Sequence, residues 1–475
     1  GLSGAGSALE FGRRRMRVRG SVWLFLSCLL SAASAFGSKA PRRDPPLLFG
    51  GGPRAPHAPV LIDPELPTGP AFPSEVERPP GTAALCSTRT PVCVQEPSTI
   101  PEASARAALA ALESAYERVV GALRLPEPAA DGGLGGNDSL DLYLDPAQTD
   151  VVVARDAPSL GLFDSASAFC LAPALSGALL ERAATLCVGE ALSFRLDAGE
   201  SPSLRRAYAT ELWWLTGVIT SLDVQAVDDV ASHPERALFA RNELTQDNGA
   251  ALFFDFLERA RSVDASGTLS TTLLAVAANQ TRAGSLTWNN EPDLYDVLRH
   301  GFDEDTVEMA DLIADFGTAR AFLGDRDDGL HPPFTSWAGS FARARYDWLV
   351  PFSSLPRRVR SSRAIDPTGA ELIWLTIDQV PPADLVLGFQ AEWEAPVAFE
   401  WRLISIDAQG RELGRVELPF QEQARSAEGR VVNLDGVRAV LAIGVNMGGV
   451  DASHPHDPDL DPFEPHACTV YFAKL

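Results

Sequence analysis

The chain has 475 residues, which is more than one ordinary domain contains, so two or three domains are expected. Hydrophobic residues make up 45% of it, enough to form real cores. The formal net charge of −23 argues against a nucleic-acid partner, because neutralising phosphates requires clusters of Lys and Arg. An acidic surface otherwise bears on solubility and does not set a fold.

The amino-terminal end has the pattern of an export signal. A basic stretch from Met16 to Arg19 precedes the apolar run Val22 to Leu30, and Ala33 to Ala35 supplies an A-x-A cleavage pattern. We therefore predict that residues 1–35 comprise upstream residues and a signal peptide, and that the mature protein is periplasmic, on the cell surface or secreted. The apolar run is too short to span a bilayer, and no transmembrane helix is expected in the mature chain. The alternative is a lipoprotein anchored at Cys28, although the residues before it fit a lipobox poorly.

Export makes disulfides permissible, and the cysteine positions suggest two of them. Cys86 with Cys93 would close a small loop, and Cys170 with Cys187 would tie a loop to the start of a central helix. Cys468 is then left over as a buried free thiol in a strand. A cysteine-rich metal site is the weaker alternative, because the chain contains no C-x-x-C pair.

Composition and hydrophobic periodicity divide the chain into parts. Residues 36–100 are predicted to form an arm, mostly unstructured up to residue 85, where Pro, Gly and Arg are frequent and no hydrophobic period exists. Helical periodicity dominates residues 101–330, and residues 331–360 form a linker. Residues 361–475 change to a period of two. The expected fold class is α+β, a mostly helical domain followed by an antiparallel β-sandwich.

The helical part begins with a helix predicted from Pro101 to Leu125, where apolar residues recur every three or four positions. The glycine-rich stretch Asp131 to Gly136 then leads into a strand from Leu140 to Leu144, and Val151 to Val153 is a second strand. The glycines match no phosphate-binding spacing, and a strand follows where a phosphate cradle needs a helix. An ordinary turn is therefore predicted there.

The stretch Glu181 to Gly217 predicts two central helices joined by a Gly-Glu-Ser-Pro turn. These helices are expected at Ser176–Arg195 and Ser203–Ile219. Further helices are predicted at Pro234–Leu244, Asn248–Ala260, Ser270–Asn279, Asp293–Gly301 and Thr306–Phe322. Strands of the sandwich are predicted at Leu372–Ile377, Leu385–Trp393, Phe399–Ile406, Leu413–Leu418, Val431–Leu434, Val437–Val445 and Thr469–Phe472.

The order of several segments resembles a known family. The segments are ALESAYERVVGALRLPEPAADGGLGGNDSLDLYL, the paired central helices, NGAALFFDFLERA, NNEPDLYDVL, ADFGTARAF and DPDLDPFEPHACTVYF. They resemble the exported zinc metalloproteases of myxobacteria, which carry H-E-x-x-H in a helical domain followed by a β-sandwich. The resemblance runs from about Pro101 to the end. It implies a metalloprotease-like helical domain, a zinc cofactor and peptidase activity.

The chain departs from that family at the zinc ligands. H-E-x-x-H places two imidazoles on one face of a helix, and the intervening Glu polarises the zinc-bound water. Aligning Gly189 to Ser193 with the motif keeps Glu190 but replaces both histidines, and aligning Thr210 to Trp214 keeps Glu211 in the same way. The first register is preferred, because the turn at Glu200 and the following helix then fall where the family has its second helix. The ligands of the implied zinc are therefore absent, and Glu190 and Glu211 are candidates for a degenerate site or are ordinary paired helix acids.

A weaker metal candidate lies near the carboxyl end. It comprises His454, His456, Asp457, Asp459 and His466, which could bind calcium through carboxylates or a transition metal through imidazoles. Interleaved prolines favour a solvated loop instead. Three aspartates, Asp325, Asp327 and Asp328, form another candidate calcium loop without the full EF-hand spacing.

Three functions are consistent with these patterns. The first is an exported, non-catalytic relative of a zinc peptidase, a binding or envelope protein whose partner is a protein, a peptide or a cell-surface ligand. The second is an active metallopeptidase whose ligands lie elsewhere, for example in the carboxyl-terminal histidine cluster. The third is a surface-binding module that acts through the β-sandwich. Serine hydrolase chemistry has no support, because G-x-S-x-G is absent.

Overall fold

The structure, a computed structural model, describes residues 76–80, 83–96, 99–156, 165–239, 244–261, 266–277, 293–301, 306–331, 343–394, 397–419, 424–449 and 465–475. These residues form an α+β fold, with helices in the amino-terminal half and a carboxyl-terminal set of strands. The export signal and the first part of the arm lie outside the described residues. Within the described ranges, no helix combines the length and the apolar character that crossing a membrane would require.

A mixed five-stranded sheet opens the fold. Its strands are β1 (Ala83–Cys86), β2 (Val92–Glu96), β3 (Leu140–Leu144), β4 (Val152–Arg155) and β5 (Ala168–Ala172), and their order across the sheet is β1-β2-β3-β5-β4. Strands β1 and β2 lie inside the range 36–100 that we predicted as an arm. The sequence pattern missed them because each is short and gains its partner through a hairpin closed by Cys86 and Cys93.

The two faces of this sheet differ in what covers them. Leu140, Leu142 and Leu144 of β3 point into the main core, under helices α1 (Glu102–Tyr116) and α2 (Gly177–Leu196). Side chains alternate along a strand, so Asp141 and Tyr143 point to the opposite face. A small apolar cluster of Tyr143, Ala154, Phe169 and Leu171 occupies that second face, with Val76 of the arm packed against it.

The remaining helices surround the central pair. They are α3 (Pro202–Thr216), α4 (Ser221–Ser232), α5 (Leu244–Gly249), α6 (Ala251–Arg261), α7 (Thr268–Ala277), α8 (Leu294–Gly301) and α9 (Thr306–Ala321). The helix predicted at Pro234–Leu244 was placed wrongly, because residues 234–239 are not helical and α4 lies before them. Thr220 and Asp223 form a capping box that begins α4, and the helix ends just before Pro234.

Two sheets form the carboxyl-terminal sandwich. Their strands are β6 (Trp348–Pro351), β7 (Arg357–Arg360), β8 (Ala370–Thr376), β9 (Leu387–Trp393), β10 (Val397–Ile406), β11 (Glu412–Leu418), β12 (Ser426–Val431), β13 (Ala439–Gly449) and β14 (Cys468–Lys474). The sheet orders are β11-β10-β13-β8-β6 and β12-β9-β14-β7. Phe389 and Trp401 meet between the sheets, with ring centroids 5.2 Å apart. Most pairs are antiparallel as predicted, but β6 runs parallel to β8, and both β6 and β7 lie in the predicted linker 331–360.

The helical half packs directly on the outer face of the five-stranded sheet of the sandwich. Helix α9 lies against β10 and β13, and a Cβ built at Gly317 would stand 3.2 Å from Val445. The main hydrophobic cluster therefore continues from the helices into residues of β8, β10 and β13, such as Leu372, Ile404 and Leu441. Strand β10 consequently has one face toward the helices and one toward the core between the two sheets, and all its residues are buried.

Candidate functional site

The helix pair α2–α3 is the centre of the predicted degenerate zinc site. Helix α2 is apolar on nearly all sides and is enclosed by other elements, as a core helix is. Helix α3 begins at Pro202, and the Ser201 hydroxyl caps it by accepting a hydrogen bond from the Leu204 amide at 3.2 Å. The two helices approach closely at Gly189, where a Cβ would stand 2.9 Å from Ala209 Cα. Position 189 is where the preferred register requires a histidine.

Glu190 is engaged in a buried ion pair at this helix crossing. Its Oε1 lies 2.7 Å from Arg206 Nε, and the residue is 6% exposed. Arg206 also donates through Nη2 to the Val151 carbonyl at 2.7 Å. Burial raises the pKa of Glu190, and the positive charges of Arg206 and Arg205 offset only part of that rise. The residue that would be the general base of a peptidase is therefore held against a guanidinium.

Further buried charges flank this pair at the start of α3 and on the turn before it. Arg205 lies over the Phe194 ring, 4.2 Å from its centroid, and donates to the Glu200 carbonyl. Burial lowers the pKa of Arg205 to about 10. The Glu200 carboxylate accepts hydrogen bonds from the Ser201 and Leu294 amides at 3.1 and 3.0 Å. These charges fasten the turn and the start of α8 to the helix pair.

Glu211 belongs to a different cluster. It is fully buried on α3, and neither carboxyl oxygen meets the geometry of a hydrogen bond to any described residue. Burial and the nearby carboxylates of Glu258 and Asp255 raise its pKa well above the ordinary value. Ser270 lies close enough to lower that pKa in part, but its hydroxyl and amide are engaged with Glu258 at 3.0 and 2.8 Å. The structure thus assigns Glu190 and Glu211 to separate sets of neighbours.

The residues present at the helix pair do not fit zinc. Gly189, Ser193 and Thr210 offer no imidazole, and Trp214 uses its indole N–H to contact Asp223 at 3.3 Å. Ser193 donates to the Glu190 carbonyl at 2.8 Å, within its own helix. Over the described ranges, no group of three His, Cys, Asp or Glu residues is arranged to hold a metal ion.

Most of the carboxyl-terminal metal candidate lies outside the described residues. This applies to His454, His456, Asp457 and Asp459, so their arrangement is not tested. His466 is described, and its backbone forms an isolated bridge with Ile365, with N–H···O distances of 2.9 Å in both directions. That bridge fixes the entry of the chain into β14.

The aspartates of the second calcium candidate form ion pairs and hydrogen bonds with neighbouring residues. Asp325 pairs with Arg343, and Asp327 accepts from the Gly329 amide at 2.8 Å. Asp328 accepts from the Leu330 and Glu412 amides and from His331 Nδ1. These contacts fold the turn after α9 and join it to β11.

Both predicted disulfides are present. Cys86 and Cys93 close the hairpin of β1 and β2, and Cys170 joins β5 to Cys187 on α2, with 5.8 Å between the Cα atoms. Cys468 is a buried free thiol in β14, as predicted. The first sheet is therefore covalently fastened to the central helix.

One charged cluster was not predicted at all. Arg78 of the arm is surrounded by Asp131, Asp141 and Asp156 on the second face of the first sheet. The sequence offered one signal for it, the polar positions that alternate with leucines along β3. Nothing in the local sequence linked those positions to an arginine in a proline-rich arm.

The arrangement at the helix pair is thus a closed, charge-paired helix contact. A zinc peptidase needs its glutamate beside a metal-bound water, and here the Glu190 carboxylate faces Arg206. Neither a protein-family model nor a curated protein matches this chain.

Proposed function

We propose that this protein is an exported, non-catalytic binding or envelope protein, built on a scaffold like that of the zinc metalloproteases but without their metal site. The observation that carries the proposal is the ion pair of 2.7 Å between Glu190 and Arg206. An active general base must be available to a metal-bound water, whereas this carboxylate is buried and neutralised by an arginine.

The packing around Glu190 supports the same proposal. Gly189 lies against Ala209 so closely that a larger residue would require the two helices to separate. Interiors are packed to nearly crystalline density, so a histidine cannot be accommodated there without moving α3. The two disulfides are consistent with folding in an oxidising compartment outside the cytoplasm.

The experiment compares metal content and peptide hydrolysis of the full chain with those of two variants. Glu190→Gln removes the candidate base, and Glu181→Gln is the control, because Glu181 lies on the same helix and is exposed. After incubation with zinc and dialysis, we expect less than stoichiometric zinc in all three proteins. We also expect the same background hydrolysis of an unfolded protein substrate. Stoichiometric zinc, with hydrolysis abolished by Glu190→Gln and retained by Glu181→Gln, would overturn the proposal.

A further inference from the structure

Arg78 is the only described cation in contact with three buried aspartates on the second face of the first sheet. Its Nε and Nη2 donate to the two oxygens of Asp156 at 2.9 and 2.8 Å, a bidentate pair. Its Nη1 contacts Asp141 and lies 2.9 Å from Asp131. The Arg78 side chain is only 11% exposed, although it belongs to a short arm segment, residues 76–80. The arm therefore inserts one side chain into an acidic pocket.

The fold builds this pocket from separate elements. Asp141 and Tyr143 come from the second face of β3, and Asp156 follows the end of β4. Asp131 opens the glycine-rich turn and accepts from the amides of Gly133 and Gly135 at 2.9 and 3.2 Å. The turn therefore holds one wall of the pocket in place.

Gly135 shows how closely that turn approaches the pocket. A Cβ at this position would overlap the Asp141 carboxylate and stand 2.9 Å from Arg78 Nη1. Only a residue without a side chain allows the turn to lie over the charge pair. The glycine-rich stretch that matched no phosphate-binding spacing thus has a specific role, because it closes over a guanidinium.

Two polar atoms at the pocket are buried and have no hydrogen-bond partner among the described residues. One is the Tyr143 hydroxyl and the other is Gln95 Oε1, and both residues are at least nine-tenths buried. Gln95 donates through Nε2 to Asp141 and to the Gly135 carbonyl, both at 3.1 Å, so its amide group lies at this cluster. Burial would lower the pKa of Arg78, but Asp156 and, to a smaller extent, the nearby Tyr143 hydroxyl raise it, although that hydroxyl does not meet hydrogen-bond geometry. Buried polar atoms normally have hydrogen-bond partners. These two oxygens have none among the described residues, so the pocket contains more hydrogen-bond acceptors than Arg78 uses.

The pocket also carries more negative charge than Arg78 neutralises. Three carboxylates face one guanidinium. Burial raises the pKa of Asp141, and the hydrogen bonds from Gln95 and Arg78 offset only part of this effect. Removing Arg78 would leave a strongly acidic, partly buried pocket without a cation.

We propose that this pocket is an arginine-binding site, occupied here by the chain's own Arg78, and that it accepts an arginine of a partner peptide when residues 76–80 leave. The bidentate contact with Asp156 matches the planar fork of a guanidinium and not the point charge of an ammonium group. The Phe169 ring lies 5.1 Å from the guanidinium carbon, within range of a cation–π contact. Val76, two positions earlier, packs on the apolar cluster beside the pocket, so the preferred sequence is an apolar residue, any residue and arginine. This site is distinct from the helix pair, and the inference does not depend on the proposed loss of catalysis.

The test uses the full chain with Arg78→Ala and an acetylated, amidated peptide of residues 76–80, Val-Glu-Arg-Pro-Pro. Titration calorimetry is expected to give binding to the variant at least about tenfold tighter than to the wild-type chain, where Arg78 competes. Replacing the peptide arginine with lysine should weaken binding by about tenfold or more. Arg89→Ala is the matched control, because Arg89 is an exposed arginine paired with Glu113, and it should bind the peptide no better than the wild type.

Three outcomes would overturn the inference. They are equal binding by Arg78→Ala and Arg89→Ala, equal binding of the arginine and lysine peptides, and tight calcium binding to Arg78→Ala in place of the peptide. Should Arg78→Ala unfold on its own, the readout becomes its thermal unfolding with peptide present. The arginine peptide should restore a cooperative transition that the lysine peptide does not restore. Failure of both peptides to do so would count equally against the site.

Discussion

The Glu190 carboxylate and the Arg206 guanidinium meet at the crossing of α2 and α3, with 2.7 Å between Oε1 and Nε. Both groups are buried, so each depends on the other for compensation of its lost hydration. Buried pairs of this kind are costly to break by removing one partner, because the remaining charge is left without compensation. The pair is therefore a sensitive probe of how the helix contact is built.

Arg206→Met should destabilise the protein by about 3–5 kcal/mol near neutral pH, because Glu190 is then buried without its partner. The loss should shrink at lower pH. Burial already holds the pKa of Glu190 above its ordinary value, so the folded state binds this proton more readily than the unfolded state. Stability therefore falls as the pH rises above the ordinary glutamate pKa of about 4.3 and through the folded value. Urea unfolding at about pH 5 and about pH 8 measures this difference.

The control for this prediction is the double variant Glu190→Gln with Arg206→Met. It lacks the same arginine but carries no buried charge at position 190. We expect it to be more stable than Arg206→Met at about pH 8 and to lose the added dependence on pH. Equal stability of the single and double variants at both pH values would contradict the charge-pair account.

Gly189→Ala should destabilise the protein although alanine favours a helix. The added Cβ would stand 2.9 Å from Ala209 Cα, so the backbone of α3 must move. Overpacking of this kind typically costs about 1–3 kcal/mol, whereas the gain in helix propensity is about 1 kcal/mol. Gly121→Ala is the control, because Gly121 is a helical, exposed glycine with open space around its Cβ position, and it should be neutral or slightly stabilising. Denaturant unfolding of both variants checks the prediction.

The same contact predicts what happens when the missing histidines are supplied. Gly189→His with Ser193→His restores H-E-x-x-H in the sequence but forces an imidazole into the α2–α3 contact. We expect loss of cooperative unfolding and no stoichiometric zinc in the variant. A folded double variant that binds one zinc per chain would show that the helices can separate here.

The sequence predicted those parts of the fold in which one pattern runs over many residues. The alternation along β8, β10 and β13 is long, and these strands lie close to their predicted positions. The central helices agree within a few residues, because Pro202 and Ser201 give α3 a clear start. Both disulfides followed from spacing and from the predicted export.

The errors have local physical causes. The helix predicted after Pro234 was wrong because the capping box of Thr220 and Asp223 starts a helix earlier, which ends just before Pro234. Strands β5, β6 and β7 are only four or five residues long, and β6 and β7 pair with strands that come later in the chain, β8 and β14. Short runs of this kind carry too little periodicity to be recognised without their neighbours.

The arginine pocket could not be predicted for a different reason. Arg78, Asp131, Asp141 and Asp156 are brought together only by the order β2-β3-β5-β4 of the first sheet. Each residue alone has an ordinary interpretation as a loop or strand residue. The requirement at Gly135 becomes apparent only when the turn and β3 are seen to lie against each other.

The disulfide between Cys170 and Cys187 should contribute more to stability than that between Cys86 and Cys93. Cys170 and Cys187 are 17 positions apart, whereas Cys86 and Cys93 are 7 apart. Loop-closure entropy then predicts a stabilisation of about 3 kcal/mol from the longer loop and roughly 2 kcal/mol from the shorter one. Thermal unfolding of the two paired Cys→Ala variants under oxidising conditions measures the difference. A larger loss on removing the smaller loop would show that strain or other contacts outweigh the entropy.

His331 joins the turn after α9 to the sandwich. Its Nδ1 lies 2.9 Å from Asp328 and its Nε2 lies 3.0 Å from Glu412 on β11, while its ring stacks on Phe322. Arg415 also pairs with Glu412, at 2.7 Å. Burial alone would lower the pKa of His331, but the hydrogen bonds to Glu412 and Asp328 outweigh it and the pKa is raised. A cavity of about 280 Å³ lined by Phe256, Asp315, His331 and Arg415 lies beside this contact.

His331→Gln should therefore flatten the dependence of stability on pH at neutral and alkaline values. A histidine whose folded pKa is raised stabilises fully below its unfolded pKa of about 6.5, and this contribution is lost as the pH rises through the folded value. Each unit by which the pKa is raised corresponds to roughly 1.4 kcal/mol. The free energy of unfolding of the wild type should fall more steeply than that of the variant between about pH 6 and about pH 9. Parallel curves for the wild type and His331→Gln would mean that the two carboxylates hold this imidazole without favouring its proton.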